Sequence, residues 1–351
     1  MSLTGVEPQI DERQQLLEQW LQSQLGVELK GESAGSDAGF RRYFRYQHNG
    51  QSLIAMDAPP ATEDCRTFVH VAGLLAQAGV RVPDILAQDV ERGFLLLSDL
   101  GQSTYLEFMQ ADCFKPAMAD ELFAEAIDAL LKFQASSQPN VLPEYDEALL
   151  RRELELFPEW YLQRHLGLTI SGNLRQLLDT LFDQLIKQVL SQGKVFVHRD
   201  YMPRNLMINT ESDGLAAGAG VGVLDFQDAV YGPVSYDIAS LFRDAFISWP
   251  LAQVEQWQHY YWQQAVERGL PVPEKLVDFQ RDCDFMASQR HLKVIGIFAR
   301  ICHRDGKPHY LADVPRFFDY LQAAAQRQPE LQLLNTLLQE IDKLADTNKN
   351  R

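Results

Sequence analysis

Leu16, Leu17, Trp20, Leu21 and Leu25 recur at helical spacing, so the pattern predicts an amphipathic helix over 14–25. A turn-rich stretch, GESAGSDAGF (31–40), gives way to the alternating run FRRYFRY (40–46). Asn49-Gly50 then separates this run from the apolar Ser52–Met56, the signature of a β-hairpin. Pro59-Pro60 ends the second strand. Residues 63–78 read as a helix, and 85–98 as two short strands joined by a turn near Glu91-Arg92-Gly93. From Tyr105 the period is helical, with helices expected at 119–136, 147–165, 173–191, 251–268, 274–301 and 329–345. One β element interrupts them: VFVH (195–198), a loop, LMIN (206–209), a flexible tip ESDGLAAGAG (211–220) and GVLDF (222–226). The fold class is therefore α+β. A strand-rich lobe at 1–97 leads through a connector at 98–101 into a larger, mainly helical lobe at 102–351.

Composition narrows the picture without redrawing it. Hydrophobic residues make up 46% and charged residues 23%, which excludes fibrous and wholly disordered classes. The net charge of -16 opposes a nucleic-acid partner. Cys65, Cys113, Cys283 and Cys302 are scattered, with no C-x-x-C pair, and suit a reducing compartment. The start, MSLTGVEPQIDERQQ, has no basic n-region or apolar h-region, and no apolar run reaches spanning length. The expectation is a cytoplasmic protein with small-molecule substrates, no membrane association and no obligate protein partner. The polar end, ADTNKNR, is expected to fray.

The chemistry concentrates in VFVHRDYMPRNLMI (195–208), which sets His198, Asp200 and Asn205 in the order H-x-D-x-x-x-x-N after an apolar strand. About twenty residues on, a second apolar run ends in Asp225. Phosphoryl transfer from a nucleotide needs such groups: a carboxylate to orient the attacking hydroxyl, and an amide and a second carboxylate to hold Mg²⁺. Asp200 fits the first role, and Asn205 and Asp225 the second. Singly, each residue has a plain alternative as a turn or helix cap. The ordered set points to a kinase.

HRDYMPRN and VLDFQDAVYGPVSYDIASLF resemble the catalytic-loop and metal-loop region of aminoglycoside phosphotransferases and choline kinases. The resemblance implies a bilobal protein-kinase-like fold: a small antiparallel-sheet N-lobe, a helical C-lobe, and ATP and Mg²⁺ as cofactors. It implies that His198 and Asp237, the latter within Tyr236-Asp237-Ile238-Ala239, order the catalytic loop, with Asp228 a helper for metal or loop or else a solvated turn residue. Gly35, Ser36 and Gly39 fall where such folds place the phosphate-covering loop, and Ser98 and Leu100 where their hinge meets adenine. One departure stands out. Kinase-like folds carry a lysine on the third strand, paired with a helix glutamate; here Met56 or Asp57 takes its place, with Glu63 or Asp64 nearby. Arg41, Arg42 or Arg45 could substitute, and Arg42 is the residue expected to do so.

Three further stretches resemble bacterial anomeric kinases of N-acetylmuramate and N-acetylglucosamine in cell-wall recycling: FRRYFRY with SLIAMDAPP, LFPEWYLQRHLGL (156–168) and RHLKVIGIFARICHRDGKPHYL (290–311). That likeness spans the chain and implies an α-1-phosphate sugar as product. Arg290, Lys293, Arg300 and His303 form a basic group able to receive a lactyl carboxylate, and Trp160, Arg164 and His165 form a second candidate group. Two alternatives remain: a kinase of aminoglycosides, choline or another amino alcohol, and, because the lysine is missing, a regulatory nucleotide-binding pseudokinase.

Overall fold

The computed structural model describes residues 12–36, 40–208, 210–211, 214–215 and 220–349. The expected turn at Gly39 and most of the 211–220 tip lie outside them. The chain divides into two compact units, Met1–Ser103 with Met207–Gln227, and Thr104–Leu206 with Asp228–Arg351.

In the first unit five antiparallel strands, β1 (Glu32–Ser36), β2 (Arg42–His48), β3 (Gln51–Asp57), β4 (Ile85–Asp89) and β5 (Phe94–Ser98), run in the order β1-β2-β3-β5-β4. The β2–β3 hairpin turns at Asn49-Gly50, where φ is 50° and 77°, the paired left-handed geometry that favours Asn-Gly. Helix α1 (Glu12–Leu25) lays Leu17, Trp20 and Leu21 on Phe44, Tyr46, Leu53, Ala55, Phe94 and Leu96. Helix α2 (Cys65–Gln77) starts at Asp64, whose carboxylate caps the Arg66 N–H, and buries Phe68, Val71, Ala72 and Leu75. The segment 207–227 joins this unit through main-chain bonds: Ile208 N–H donates to Ser103 and Val223 N–H to Arg81. Gly222 passes so close to Leu100 and Met207 that a Cβ would sit 2.9 Å from Leu100 Cδ1.

The second unit is mainly helical: α3 (Tyr105–Gln110), α4 (Ala119–Ala135), α5 (Glu147–Leu154), α6 (Gly172–Leu190), α7 (Tyr236–Phe242), α8 (Leu251–Glu267), α9 (Leu276–Asp305), α10 (Val314–Arg327) and α11 (Gln332–Lys349). The strand expected at VFVH is present, and it gains a partner that the periodicity does not announce. The strand β6 (Lys194–Val197) pairs antiparallel with β7 (Val230–Pro233), downstream of Asp225; among the described residues the sheet has two strands, so Pro233 is paired on one side only. Helix α10 is absent from the periodicity reading. Pro315 lies in its first turn, where the missing N–H costs nothing, and Val314, Phe317, Leu321, Ala324 and Ala325 form its buried stripe.

The single helix expected over 147–165 is two elements: α5, then the π-helical Phe157–His165. The wider i→i+5 step is seen where the Leu166 N–H reaches the Tyr161 carbonyl at 2.9 Å. Helix α9 packs along this segment, and at Gly296 the approach is backbone to backbone: a Cβ there would lie 2.4 Å from the Leu156 carbonyl carbon. At the other end of the chain, α11 continues to Lys349, so the polar end is helical through most of its length.

Candidate active site

In the second unit, β6 delivers His198 into the interior and Asp200 to the surface beyond it. His198 is buried, while the Asp200 side chain is 41% exposed. Between them Arg199 takes a left-handed backbone with φ 77°, a conformation costing on the order of 1–3 kcal/mol in a residue with a Cβ. Asp237, at the start of α7, offsets that cost. Its two carboxylate oxygens accept the N–H groups of His198 (2.8 Å) and Arg199 (3.0 Å). Asp237 is fully buried; burial pushes its carboxyl up to about 7, against the pull of those two N–H donors. The Asp200 N–H donates to His198 Nδ1 at 3.3 Å, and the His198 ring packs edge-on against Tyr201, whose hydroxyl donates to the Ala126 carbonyl. The Asn205 Nδ2 donates to the Asp200 carbonyl at 2.8 Å, which turns the oxygen end of that amide the other way. An amide oxygen and a carboxylate form the hard oxygen donor set that Mg²⁺ takes alongside phosphate oxygens. Asp228 is exposed, and its main-chain carbonyl accepts from Arg199 Nη1 at 3.5 Å.

Beneath this loop is an ion cluster with no marker in the sequence. Glu153 of α5 is 5% exposed and pairs with Lys293 Nζ at 2.9 Å. It also accepts from Arg199 Nη2 and from the Tyr145 hydroxyl. Burial alone would push its carboxyl up, but Lys293 and Arg199 more than offset that and hold it at about 2. Lys293 Nζ also donates to the Tyr236 hydroxyl at 3.1 Å. Arg199, the middle residue of His198-Arg199-Asp200, is the one clue to this cluster; nothing near Glu153 in the chain announces it.

The expected acceptor residues separate into two groups along α9. Arg290 is 3% exposed and its Nη2 lies 3.8 Å from Asp200 Oδ1. Arg290 and Lys293 thus pack, from α9, against the loop that carries Arg199 and Asp200. Arg300 and His303 lie toward the C-terminal end, about 15–20 Å farther on by helical rise. There His303 Nε2 is 3.3 Å from His165 Nδ1, and the Arg164 guanidinium stacks 5.0 Å from the Trp160 ring centre. Burial and then His303 lower the His165 imidazole below its ordinary value; burial and then Arg304 lower Arg300.

In the first unit, Asp225 lies just past the short strand Gly222–Val223 with φ 61° and accepts from Gln227 Nε2 at 2.9 Å. Phe226 beside it is buried against Phe68 of α2, with ring centres 4.7 Å apart. Arg42, expected to meet phosphate, instead turns to Asp57, donating through Nε (3.1 Å) and Nη2 (2.6 Å). Its strand register places it directly opposite Asp57, which is fully buried and also receives Arg13 Nε at 2.9 Å. Arg45 is held by Asp99 at 2.6 Å. Arg41 is the arginine beside Asp225, with Nη2 3.7 Å from Asp225 Oδ1 and Nε 3.9 Å from Glu63 Oε2. Gly35 has φ 133° with open space where a Cβ would stand, and Ser36 pairs with Arg42 across β1–β2. The Ser98 N–H is engaged by the Asp84 carbonyl at 2.9 Å, and Leu100 packs on Gly222. Among the described residues no group of three or more His, Cys, Asp or Glu is arranged to hold a metal, and no helix is long and apolar enough to cross a membrane.

Comparison with known proteins agrees with this chemistry. The model of the phosphotransferase enzyme family (APH) matches residues 30–272. An N-acetylmuramate/N-acetylglucosamine kinase of Pseudomonas aeruginosa is 56% identical over 313 residues, 89% of this chain and 89% of its own length. The kinase of the same name in Neisseria meningitidis is 42% identical, over 94% of this chain and 96% of its own. Among solved structures, a choline kinase of Streptococcus pneumoniae superposes with a TM-score of 0.59 at 14% identity, covering 90% of this chain and all of that one. A gentamicin–APH(2'')-IIa complex gives 0.58 at 15% identity, covering 89% and 97%. At such identity the likeness speaks for a shared protein-kinase-like fold. The sequence matches go further: the chain belongs to the APH phosphotransferase enzyme family, together with the N-acetylmuramate/N-acetylglucosamine kinases.

Proposed function

We propose that the protein is a cytoplasmic kinase that transfers the γ-phosphoryl group of ATP to the anomeric hydroxyl of N-acetylmuramate and N-acetylglucosamine, giving α-1-phosphates. The observation that carries this reading is the setting of Asp200: a half-exposed carboxylate on a loop pinned by Asp237 and flanked by the buried Arg290. Asp200 would accept the hydrogen bond of the sugar hydroxyl and aim its oxygen at the γ-phosphorus, taking the proton as the new P–O bond forms and the bond to ADP breaks. An anomeric hydroxyl is more acidic than an ordinary alcohol, so a carboxylate base suffices. Asp225 and the Asn205 oxygen would hold Mg²⁺, which would offset charge on the phosphates. The lactyl carboxylate of N-acetylmuramate calls for a cation, and the exposed Arg164 and His303 with the half-exposed Arg300 supply basic side chains away from the buried Glu153 pairs. Trp160, with Arg164 stacked on it, offers a flat face for a sugar ring.

Incubation with Mg-ATP and each sugar, followed by phosphorus NMR, tests the reading. A 1-phosphate is expected, identified by its coupling to the anomeric proton. A 6-phosphate, or turnover of choline or an aminoglycoside with both sugars inert, would replace it with an amino-alcohol or different sugar kinase. ATP binding without any turnover would make the protein a regulatory pseudokinase.

A further inference from the structure

The third strand carries no lysine, and the two residues in its place are sealed. Met56 is fully buried, and Asp57 is a buried acid matched to Arg13 and Arg42. A magnesium nucleotide still needs a fixed cation at its phosphates. We infer that Arg41 supplies it, with Glu63 as the carboxylate that holds Arg41 in place. This inference rests on the reading of Asp225 as a metal-binding residue.

Neighbouring side chains in an extended segment point to opposite faces, so the pairing of Arg42 with Asp57 turns Arg41 the other way. Its side chain is nine-tenths buried and its guanidinium lies between Glu63 and Asp225. The two separations are 3.9 and 3.7 Å, within ion-pair range. Glu63 is anchored separately, since its Oε1 accepts the Phe40 N–H at 3.1 Å. That bond ties the helix-side carboxylate to the strand entrance carrying Arg41. Glu63–Arg41 thus reproduces a glutamate–cation pair with the cation moved from the third strand to the residue preceding the second. A guanidinium also grips two phosphate oxygens at once, which an ammonium does not. When Asp225 turns to Mg²⁺, the triphosphate replaces it as the anion facing Arg41, so no charge is left buried alone.

The test is steady-state kinetics and calorimetric nucleotide binding on the full chain with Arg41→Gln, Arg41→Lys, Arg42→Gln and Asp225→Asn. Arg41→Gln should lower kcat/KM for Mg-ATP by about 10- to 100-fold, the range of a charge-assisted bond, with the sugar KM unmoved. Binding of adenosine, which lacks phosphates, should not change. Arg41→Lys should recover most of the loss, which a merely structural residue would not require. Arg42→Gln should lower the melting temperature and leave kcat/KM for Mg-ATP within about threefold, the scale of an indirect effect. If Arg41→Gln keeps full kcat/KM while Asp225→Asn is inactive, the role of Arg41 is wrong and the metal-site reading stands. If Asp225→Asn is itself active, that reading has failed instead. A larger loss of kcat/KM in Arg42→Gln than in Arg41→Gln would return the phosphate contact to Arg42.

Discussion

Each unit contains a cluster of opposite charges, and the two are built differently. In the second, Glu153 is buried among Lys293, Arg199 and Tyr145 at hydrogen-bond distance. In the first, Arg41 lies between Glu63 and Asp225 at 3.7–3.9 Å, and Asp225 is 32% exposed. Tight, desolvated pairs are costly to break and do not exchange partners; looser, partly hydrated ones do. The Glu153 cluster therefore reads as the foundation of the Asp200 loop, and the Arg41 cluster as the more rearrangeable of the two. The same criterion separates Arg290 from Arg300. One is buried against Asp200, and the other is half-exposed at the far end of the same helix.

The sharpest test of the division is Asp200→Asn. If the tight cluster only holds this carboxylate in place, its loss should reduce kcat by about 10²–10⁴-fold while the urea midpoint stays unchanged. A parallel loss of stability would mean that Asp200 belongs to the foundation. Next in size is Glu153→Gln, which strands two buried cations and should lower unfolding free energy by about 3–5 kcal/mol. Glu63→Gln, in the looser cluster, should cost under about 1 kcal/mol yet weaken ATP binding. Equal costs at the two positions would erase the contrast.

Acidity separates the two buried carboxylates beneath the loop. Asp237, served by neutral N–H donors, is held at about 7, above its unfolded value. Its contribution to stability is complete below the unfolded value, about 4, and is lost as pH rises through 7. Glu153, held at about 2 beside two cations, behaves oppositely: its contribution is present above about 4.3 and is lost only as pH falls through 2. Between pH 5.5 and 8 the melting temperature should therefore fall modestly, and turnover should rise as the ionised Asp237 comes to accept both N–H groups. Asp237→Asn should flatten the melting profile; an unchanged slope would assign it to another group. The smallest effect expected is from salt. Raising NaCl from 0.05 to 0.5 M should increase the KM for ATP a few-fold through screening at the partly exposed Asp225 end of the Arg41 cluster and leave the midpoint set by Glu153 nearly fixed.

What could be read along the chain was whatever is local in it. The order of His198, Asp200, Asn205, Asp225 and Asp237 lies within forty residues and carries its own chemistry. The β2–β3 turn was equally plain, since Asn49-Gly50 suits few other backbones. Glu153 was invisible because its charged partners, Arg199 and Lys293, are 46 and 140 residues away and its helix shows only ordinary amphipathicity. The π-helical segment escaped because five-residue hydrogen-bond steps leave no period distinct from 3.6 over nine residues. Arg41 and Arg42 are adjacent and identical in type, and only the strand register tells which one faces Asp57. Helix α9 misled for a related reason: its basic residues share a stretch of sequence but are spread along roughly 20 Å of helix.

The contact of Gly296 with the Leu156 main chain has a consequence for redesign. Because two backbones, rather than interlocking side chains, set the distance there, trimming residues on α9 or on 157–165 cannot draw the elements closer, and adding a methyl group at 296 must wedge them apart. The gauge of this wall is fixed like that of a rail. Efforts to broaden the range of accepted sugars belong at the exposed ends, around Trp160, Arg164 and His303, where side chains can be exchanged without moving the track.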